Sequence, residues 1–395
     1  MQSYINIYIE NYISKLSGDI VEYTIDFDTV DSALNFFKLY FPQAEYNSNK
    51  FYNLRTSKQG RHRMFAGSWY SIPMNIFESS EYEDINEESE GGGGYSGLII
   101  LQSSIADYSQ YLTSLQNDEY EFLQSSNIAF QAELQIDFNH TPKDLIIVNC
   151  GQGNWNEIHS KSEVLIYDMG ASSRYSSAQI KNLINKRFSQ FKGKTIGIVI
   201  SHWDMDHFQA LNYLDKQQLS QIPYIFGPSN IPPSNVYKST INHLITNGVQ
   251  CRLIPPTTNR NGRAINLNQL STSKTVDVYR SVSGSSRNQT GIVLVIKGTK
   301  SVAFLTGDHH YEKIFDAIDT KYTGRDIVLV VPHHGGNSGV LRLSDWQSEF
   351  PVIECPISYG DNSYNHPNQN LSIINSLQGS SPKTTHTQGD LKFNI

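Results

Sequence analysis

The sequence predicts an α/β protein, and three observations carry that prediction. Short apolar, β-rich runs alternate with helical stretches from Asp144 to Ile395. The texture changes near Asp144, because the preceding chain is aromatic, acidic and weakly patterned. Several of the apolar runs stop directly at His or Asp. Interleaved strands and helices pack as layered α/β domains. The 395 residues are too many for one small domain and comfortable for two. We therefore expect an N-terminal α+β extension over 1–140 and an α/β domain over 141–395.

In the extension, Val21, Tyr23, Ile25 and Phe27 fall on one face of a strand over 20–27. Residues 28–41 (DTVDSALNFFKLYF) read as an amphipathic helix capped by Asp28, with Val30, Ala33, Leu34, Phe37 and Phe41 inward. The basic stretch 55–63 (RTSKQGRHR) is expected to be a solvated loop rather than a ligand site. Residues 78–94 (ESSEYEDINEESEGGGG) are acidic and end in four glycines, so a flexible loop is expected there. A short buried strand over 96–104 and a helix over 107–123 complete this region.

In the second region, strands are expected at 145–148, 164–167, 196–200, 292–296, 302–305, 327–331 and 352–357. Helices are expected at 178–188, 208–214, 238–246 and 311–319. Pro and Gly make 226–236 (FGPSNIPPSNV) a loop, read either as a wall of a substrate groove or as a surface connection.

Composition narrows the function classes. The net charge is −7, so nucleic acid cannot be held by bulk charge and would need a local patch or bound cations. Cys150, Cys251 and Cys355 are widely spaced and form no C-x-x-C pair, which argues against a disulfide framework or a cysteine zinc site. No run approaches membrane-spanning length, and the opening MQSYINIYIENYISK lacks a basic leader before an apolar stretch. A cytoplasmic protein with no membrane partner is expected.

The chemistry gathers at strand ends. The run 196–200 leads into Ser201-His202-Trp203-Asp204-Met205-Asp206-His207, four metal-capable side chains within six residues. With twelve histidines in the chain, such density is not a chance clustering. Imidazole with carboxylate suits zinc, manganese or iron, and two adjacent ions need this density plus a bridging carboxylate. A second strand ends at Thr306-Gly307-Asp308, and a third at Pro332-His333-His334-Gly335-Gly336. A fourth cluster, Asn362-Ser363-Tyr364-Asn365-His366-Pro367, adds one more histidine. Taken alone, T-G-D is a common turn and a His before Pro is more often structural; in series they point to one sheet edge.

These motifs, in this order, resemble the metallo-β-lactamase superfamily. The nearest resemblance is to the ComEC-type hydrolase domain of bacterial DNA-uptake proteins. The resemblance spans about 144–395 and also takes in Gly151-Gln152-Gly153-Asn154 and Asp168-Met169-Gly170, with Asn288, Thr387 and Gly389 fitting weaker parts. It implies a four-layer αββα sandwich. Asp204, where many superfamily hydrolases carry His, is what the ComEC-like branch shows. Asn149 and Asn154 stand where that branch usually has Asp, which implies a weaker hold on one cation or the loss of a base. The membrane channel that accompanies the domain in DNA uptake is missing from this sequence.

The resemblance implies a metal-dependent hydrolase using two divalent ions, Zn or Mn. His202 and Asp204 are assigned to one ion, Asp206 and His207 to the other, with Asp308 bridging and His366 completing the set. His333 or His334 serves as ligand or proton donor. Asp168 either orients a ligand histidine or is a plain strand-end turn carboxylate. Asn154 and Asn288 either contact substrate or serve turns, and Trp203 packs beside the site. His159, His243, His309, His310 and His386 are read as satisfied or solvated. A phosphodiesterase or nuclease acting on DNA or RNA leads the functional readings. Hydrolysis of a cyclic nucleotide, lactone or thioester follows, then a metal-binding interaction protein with a protein partner on its N-terminal region.

Overall fold

The N-terminal aromatic residues are gathered by strands. The computed structural model describes residues 4–16, 20–57, 64–101, 110–112, 128–130, 136–232, 234–257, 266–282, 287–318, 321–362, 366–367 and 371–395. Seven strands pair in the order β5-β6-β3-β2-β1-β4-β7. They are β1 (Tyr4–Leu16), β2 (Ile20–Phe27), β3 (Phe51–Ser57), β4 (Ser68–Pro73), β5 (Glu81–Asp84), β6 (Tyr95–Ile100) and β7 (Gln110–Leu112). Alternation along β2 buries Val21, Tyr23, Ile25 and Phe27 as expected. Helix α1 (Val30–Tyr40) lies on this face and packs Phe36 and Phe37 against Phe27.

The helix departs from expectation in two ways. Its N-cap is Thr29, whose side chain accepts from Ser32 N at 3.1 Å, while Asp28 accepts from Thr29 N at 2.7 Å. Its buried stripe runs through Ala33, Phe36 and Phe37, leaving Val30 43% and Leu34 48% exposed. The larger aromatic Phe36 displaces both aliphatics from the interior.

Within the loop expected over 78–94, residues 81–84 form β5, and the rest is turns and irregular chain. Strand β5 pairs antiparallel with β6, and the four glycines 91–94 are buried. A Cβ on Gly92 would lie 2.0 Å from Asn86 O, and one on Gly93 2.5 Å from Ile180 Cδ1. Gly92 and Gly93 serve close approach. Lys50 Nζ reaches Gly92 O at 2.6 Å and Glu87 at 2.9 Å. Of the helix expected over 107–123, residues 110–112 form β7 against β4, and the remainder lies outside the described residues. Of the basic stretch, Arg55 sits in β3 and pairs with Glu22 at 2.9 Å, and 58–63 lie outside the described residues.

The second unit holds two sheets. The first has the order β21-β9-β10-β11-β12-β13-β14-β8. It comprises β8 (Ile128–Phe130), β9 (Asp144–Ile147), β10 (Trp155–His159), β11 (Glu163–Met169), β12 (Thr195–Val199), β13 (Tyr224–Pro228), β14 (Gln250–Ile254) and β21 (Leu391–Asn394). The second runs β15 (Leu267–Thr272), β16 (Val276–Ser281), β17 (Ile292–Lys297), β18 (Val302–Leu305), β19 (Ile327–Leu329) and β20 (Val352–Glu354) in that order.

A shared core joins the facing sides, with Leu145, Ile158, Leu165 and Val199 from the first sheet and Val278, Leu294, Ala303 and Val328 from the second. The outer side of the second sheet packs Val295, Phe304 and Leu329 against helices Tyr311–Ile318, Leu343–Glu349 and Leu371–Gln378. On the outer side of the first sheet, Arg187 of helix Ser177–Ser189 donates to the buried Glu157 at 2.8 Å. The layering is αββα. Hydrophobic periodicity located β9, β11, β12 and β17 to β20, but not β8, β10, β13 to β16 or β21, nor the helices Leu343–Glu349 and Leu371–Gln378; 208–214 splits into Met205–Phe208 and a 3-10 turn Gln209–Tyr213. Residues 226–228 of the expected loop belong to β13, and Asn235 already starts the helix Asn235–Thr246.

The first unit comprises 1–126, 173–180 and 231–243; the second comprises 127–172, 181–230 and 244–395. The first three strands of the second sheet pair antiparallel and β18, β19 and β20 pair parallel, while β11 to β14 and β8 run parallel in the first. Cys150, Cys251 and Cys355 are free and buried. Among the described residues, no helix is long and apolar enough to cross a membrane.

Candidate metal centre

Parallel strands deliver their C-terminal ends to one place. Asp168 near the end of β11 has φ +61°, a left-handed conformation that turns its carboxylate under the segment after β12. Its Oδ1 accepts from Ser201 N at 2.6 Å. Its Oδ2 accepts from Ser201 Oγ, Asn154 Nδ2 and His207 Nδ1, each at 2.8 Å. Asn154 is buried, with its Nδ2 on Asp168 and its Oδ1 accepting from Asn156 Nδ2 at 2.7 Å. Asn154 N also donates to Asp206 O at 2.9 Å, and a Cβ on Gly170 would fall 1.6 Å from that same oxygen. Only glycine lets the backbone of Asp206 settle there.

Four histidines share one arrangement. His207 Nδ1 donates to Asp168, and His202 Nδ1 lies 3.0 Å from Ser201 Oγ. His334 Nδ1 donates to Ser358 O at 2.7 Å, and His333 Nδ1 to Asn337 O at 3.2 Å. Each Nδ1 is engaged by protein, which turns Nε2 toward carboxylates. His202 Nε2 is 3.4 Å from Asp204 and 3.7 Å from Asp308; His207 Nε2 is 3.4 Å from Asp308 and 3.9 Å from Asp206. His334 Nε2 is 3.3 Å from Asp206, and His333 Nε2 is 3.7 Å from Asp308.

Two groups bring three donor atoms within 4.8 Å of one another: His202, His207 and Asp308, and Asp206, His207 and His334. The Nε2 atoms of His202, His207 and His334 are buried without a hydrogen bond. Buried polar atoms left so, facing carboxylates, fit a divalent cation. His334 thus stands with Asp206, a placement the sequence left open. Asp204 and His366 belong to neither group. Asp204 faces Arg287, whose Nε lies 3.0 Å from its Oδ1. His366 stacks edge-on at 5.0 Å from His333, with its backbone N bound to Asn362 at 3.0 Å; Asn362 is the part of the N-x-Y-x-H-P motif that is described besides His366 and Pro367.

The electrostatics reflect crowding of opposite charges. Burial disfavours the Asp308 carboxylate, but His333, His207 and His202 outweigh it and hold its pKa well below the usual range. Burial likewise opposes charge on His207, yet Asp308, Asp168 and Asp206 raise it well above an ordinary imidazole. His334 is raised by Asp206 against the same opposition. His366 is pushed down to about 4 by burial and by His333 and His334.

No protein-family model and no curated protein matches the chain. Solved structures do. The likeness is to metallo-β-lactamase folds. YhfI from Bacillus subtilis, a metallo-beta-lactamase fold protein, is 10% identical with a TM-score of 0.38, over 65% of this chain and 100% of that one. Tm1679, a metal-dependent hydrolase of the beta-lactamase superfamily, is 12% identical with a TM-score of 0.38, over 64% and 99%. The short form of human tRNase Z is 14% identical with a TM-score of 0.33, over 61% and 84%.

Ser201 and Arg287 shape the centre without having been given a role from the sequence. Ser201 joins Asp168, His202 and His207 through one hydroxyl. Arg287 lies in a polar stretch that reads as ordinary loop, its adjacency to Asn288 being the one signal. Asn288 Nδ2 reaches Asp308 at 3.2 Å and His333 Nε2 at 3.4 Å. Asn149 holds its own loop, its N donating to Asp390 at 2.9 Å and its Oδ1 accepting from Gly151 N at 3.4 Å. Trp203 packs as expected, buried and donating to Pro228 O at 2.7 Å. The buried His309 accepts from Gly291 N at 3.2 Å, and burial lowers it to about 3.

Proposed function

We propose that this chain is a metal-dependent hydrolase of phosphodiesters, with DNA or RNA as its first candidate substrates. The single observation that carries the reading is the meeting of three buried, hydrogen-bond-free Nε2 atoms with Asp206 and Asp308 beyond the ends of three strands, β12, β18 and β19. Asp206, His207 and His334 would hold one divalent ion, Zn or Mn; His202, Asp308 and Asp204 would hold the other. Bound cations supply a water of near-neutral pKa and offset charge on a phosphate oxygen.

The remaining work falls to the side chains. Asp168 and Ser358 O fix the rings of His207 and His334 so that Nε2 stays inward. His333, 26% exposed at the rim, has its Nε2 toward the centre and stands where it can give a proton to a leaving oxygen. Asn288 restrains Asp308 and His333 together. The sequence resemblance to ComEC-type domains favours nucleic acid over a small ester.

The test is hydrolysis of single- and double-stranded DNA, RNA and a generic phosphodiester ester by manganese- or zinc-loaded protein, beside Asp206→Ala. Metal-dependent cleavage lost in the variant supports the reading. A metal-loaded wild type that cleaves none of them sinks the phosphodiesterase proposal and shifts weight to lactones, thioesters or a binding role.

A further inference from the structure

Asp204 is committed to a cation that the chain itself provides. Arg287 Nε lies 3.0 Å from Asp204 Oδ1, and its Nη1 donates to Trp203 O at 3.1 Å. Two contacts on consecutive residues fix the guanidinium over this turn. Both partners are mostly buried, at 15% and 22% exposed, so solvent screens the pair weakly.

A second fact concerns His207. Its Nδ1 is bound to Asp168, which leaves Nε2 as its one ligating atom, and that atom is common to both donor groups. One nitrogen lone pair serves one ion. When Nε2 joins Asp206 and His334, the other position keeps His202 and Asp308 and needs Asp204 as its third donor. A cation there must settle beside a fixed guanidinium and share its carboxylate.

We propose that Arg287 makes the two metal positions unequal: the Asp206–His207–His334 position fills first, and the His202–Asp308–Asp204 position binds more weakly against the charge of Arg287. Arg287 is thus a positioning residue acting through Asp204. The inference rests on the metal reading of the site given above.

Zinc titration of the metal-free full chain, read by calorimetry and by chelator competition, tests it without any substrate. Wild type should take one tight equivalent and a second at least about tenfold weaker. Arg287→Met, which removes the charge and keeps the length, should tighten the second step by about tenfold and leave the first nearly unchanged. Arg287→Gln is the second charge-removing variant should Met fail to fold, and Arg287→Lys should restore the wild-type inequality. Two equal steps in wild type, an unchanged second step in both neutral variants, or Lys behaving like Met would overturn the inference. No zinc uptake by wild type would overturn the metal reading itself, and this inference with it.

Discussion

Asp168 Oδ2 lies 2.8 Å from His207 Nδ1, on the side of the ring opposite the carboxylates that face Nε2. The same oxygen receives Ser201 and Asn154. One carboxylate therefore orients the most shared donor of the centre. Asp168→Asn should weaken zinc binding about 10- to 100-fold while the protein stays folded, because Asn tolerates the left-handed backbone at φ +61°. Chelator competition and a thermal melt measure both parts. Wild-type zinc affinity in the variant would reduce Asp168 to a turn residue.

The two neighbouring histidines should separate by phenotype. His334 is buried against Asp206, whereas His333 lies at the rim. His334→Ala should lose bound metal and turnover together. His333→Ala should keep its metal and lose about 10²- to 10⁴-fold in kcat, the range of a general acid. Metal content by elemental analysis beside kcat decides it; loss of metal in His333→Ala would make that residue a ligand instead.

Burial of Glu157 depends on Arg187. Arg187 is 3% exposed and Glu157 fully buried, with Nε to Oε1 at 2.8 Å. Arg187→Met leaves a buried carboxylate with, among the described residues, His159 as its remaining ion-pair partner and should cost about 3–5 kcal/mol in denaturant unfolding. A cost near zero would mean that water or His159 compensates the charge.

Asp26 carries a pH signature in the first unit. Burial, set against hydrogen bonds from Val236 N and Phe27 N, pushes its pKa up to about 7. The folded state then holds a proton that the unfolded chain has released, so this contribution is full below about pH 4 and is lost as pH rises toward 7. The loss amounts to about 4 kcal/mol at most. Asp26→Asn should remove that slope, so its stability relative to wild type should improve from pH 5 to pH 8. Parallel stability curves for the two proteins would refute the buried-proton account.

What the sequence revealed follows from polarity. Runs such as 196–200 and 302–305 are buried on both faces and read as continuous apolar strands. Their ends at His202, Asp206 and Asp308 were legible because metal-capable side chains stand there directly after apolar runs. Strand β10 was hidden because Asn156 and Glu157 interrupt it, pairing with Asn154 and Arg187 through contacts that local pattern does not display. The glycines of 91–94 looked like slack because composition does not distinguish freedom from close packing. Arg287 was invisible for a related reason: its partner is distant in sequence, and a lone Arg among Ser and Asn carries no periodic signal.

The chain passes between its two units at 126/127, 172/173, 180/181, 230/231 and 243/244. No single cut releases either one whole. A fragment beginning at residue 141 would retain 173–180 and 231–243 while lacking the strands of the first unit, and Ile180, Tyr237 and Ile241, now buried, would need new cover. Truncation before the second unit therefore strips cover from these side chains instead of releasing an intact domain, because the chain threads back into the first unit twice.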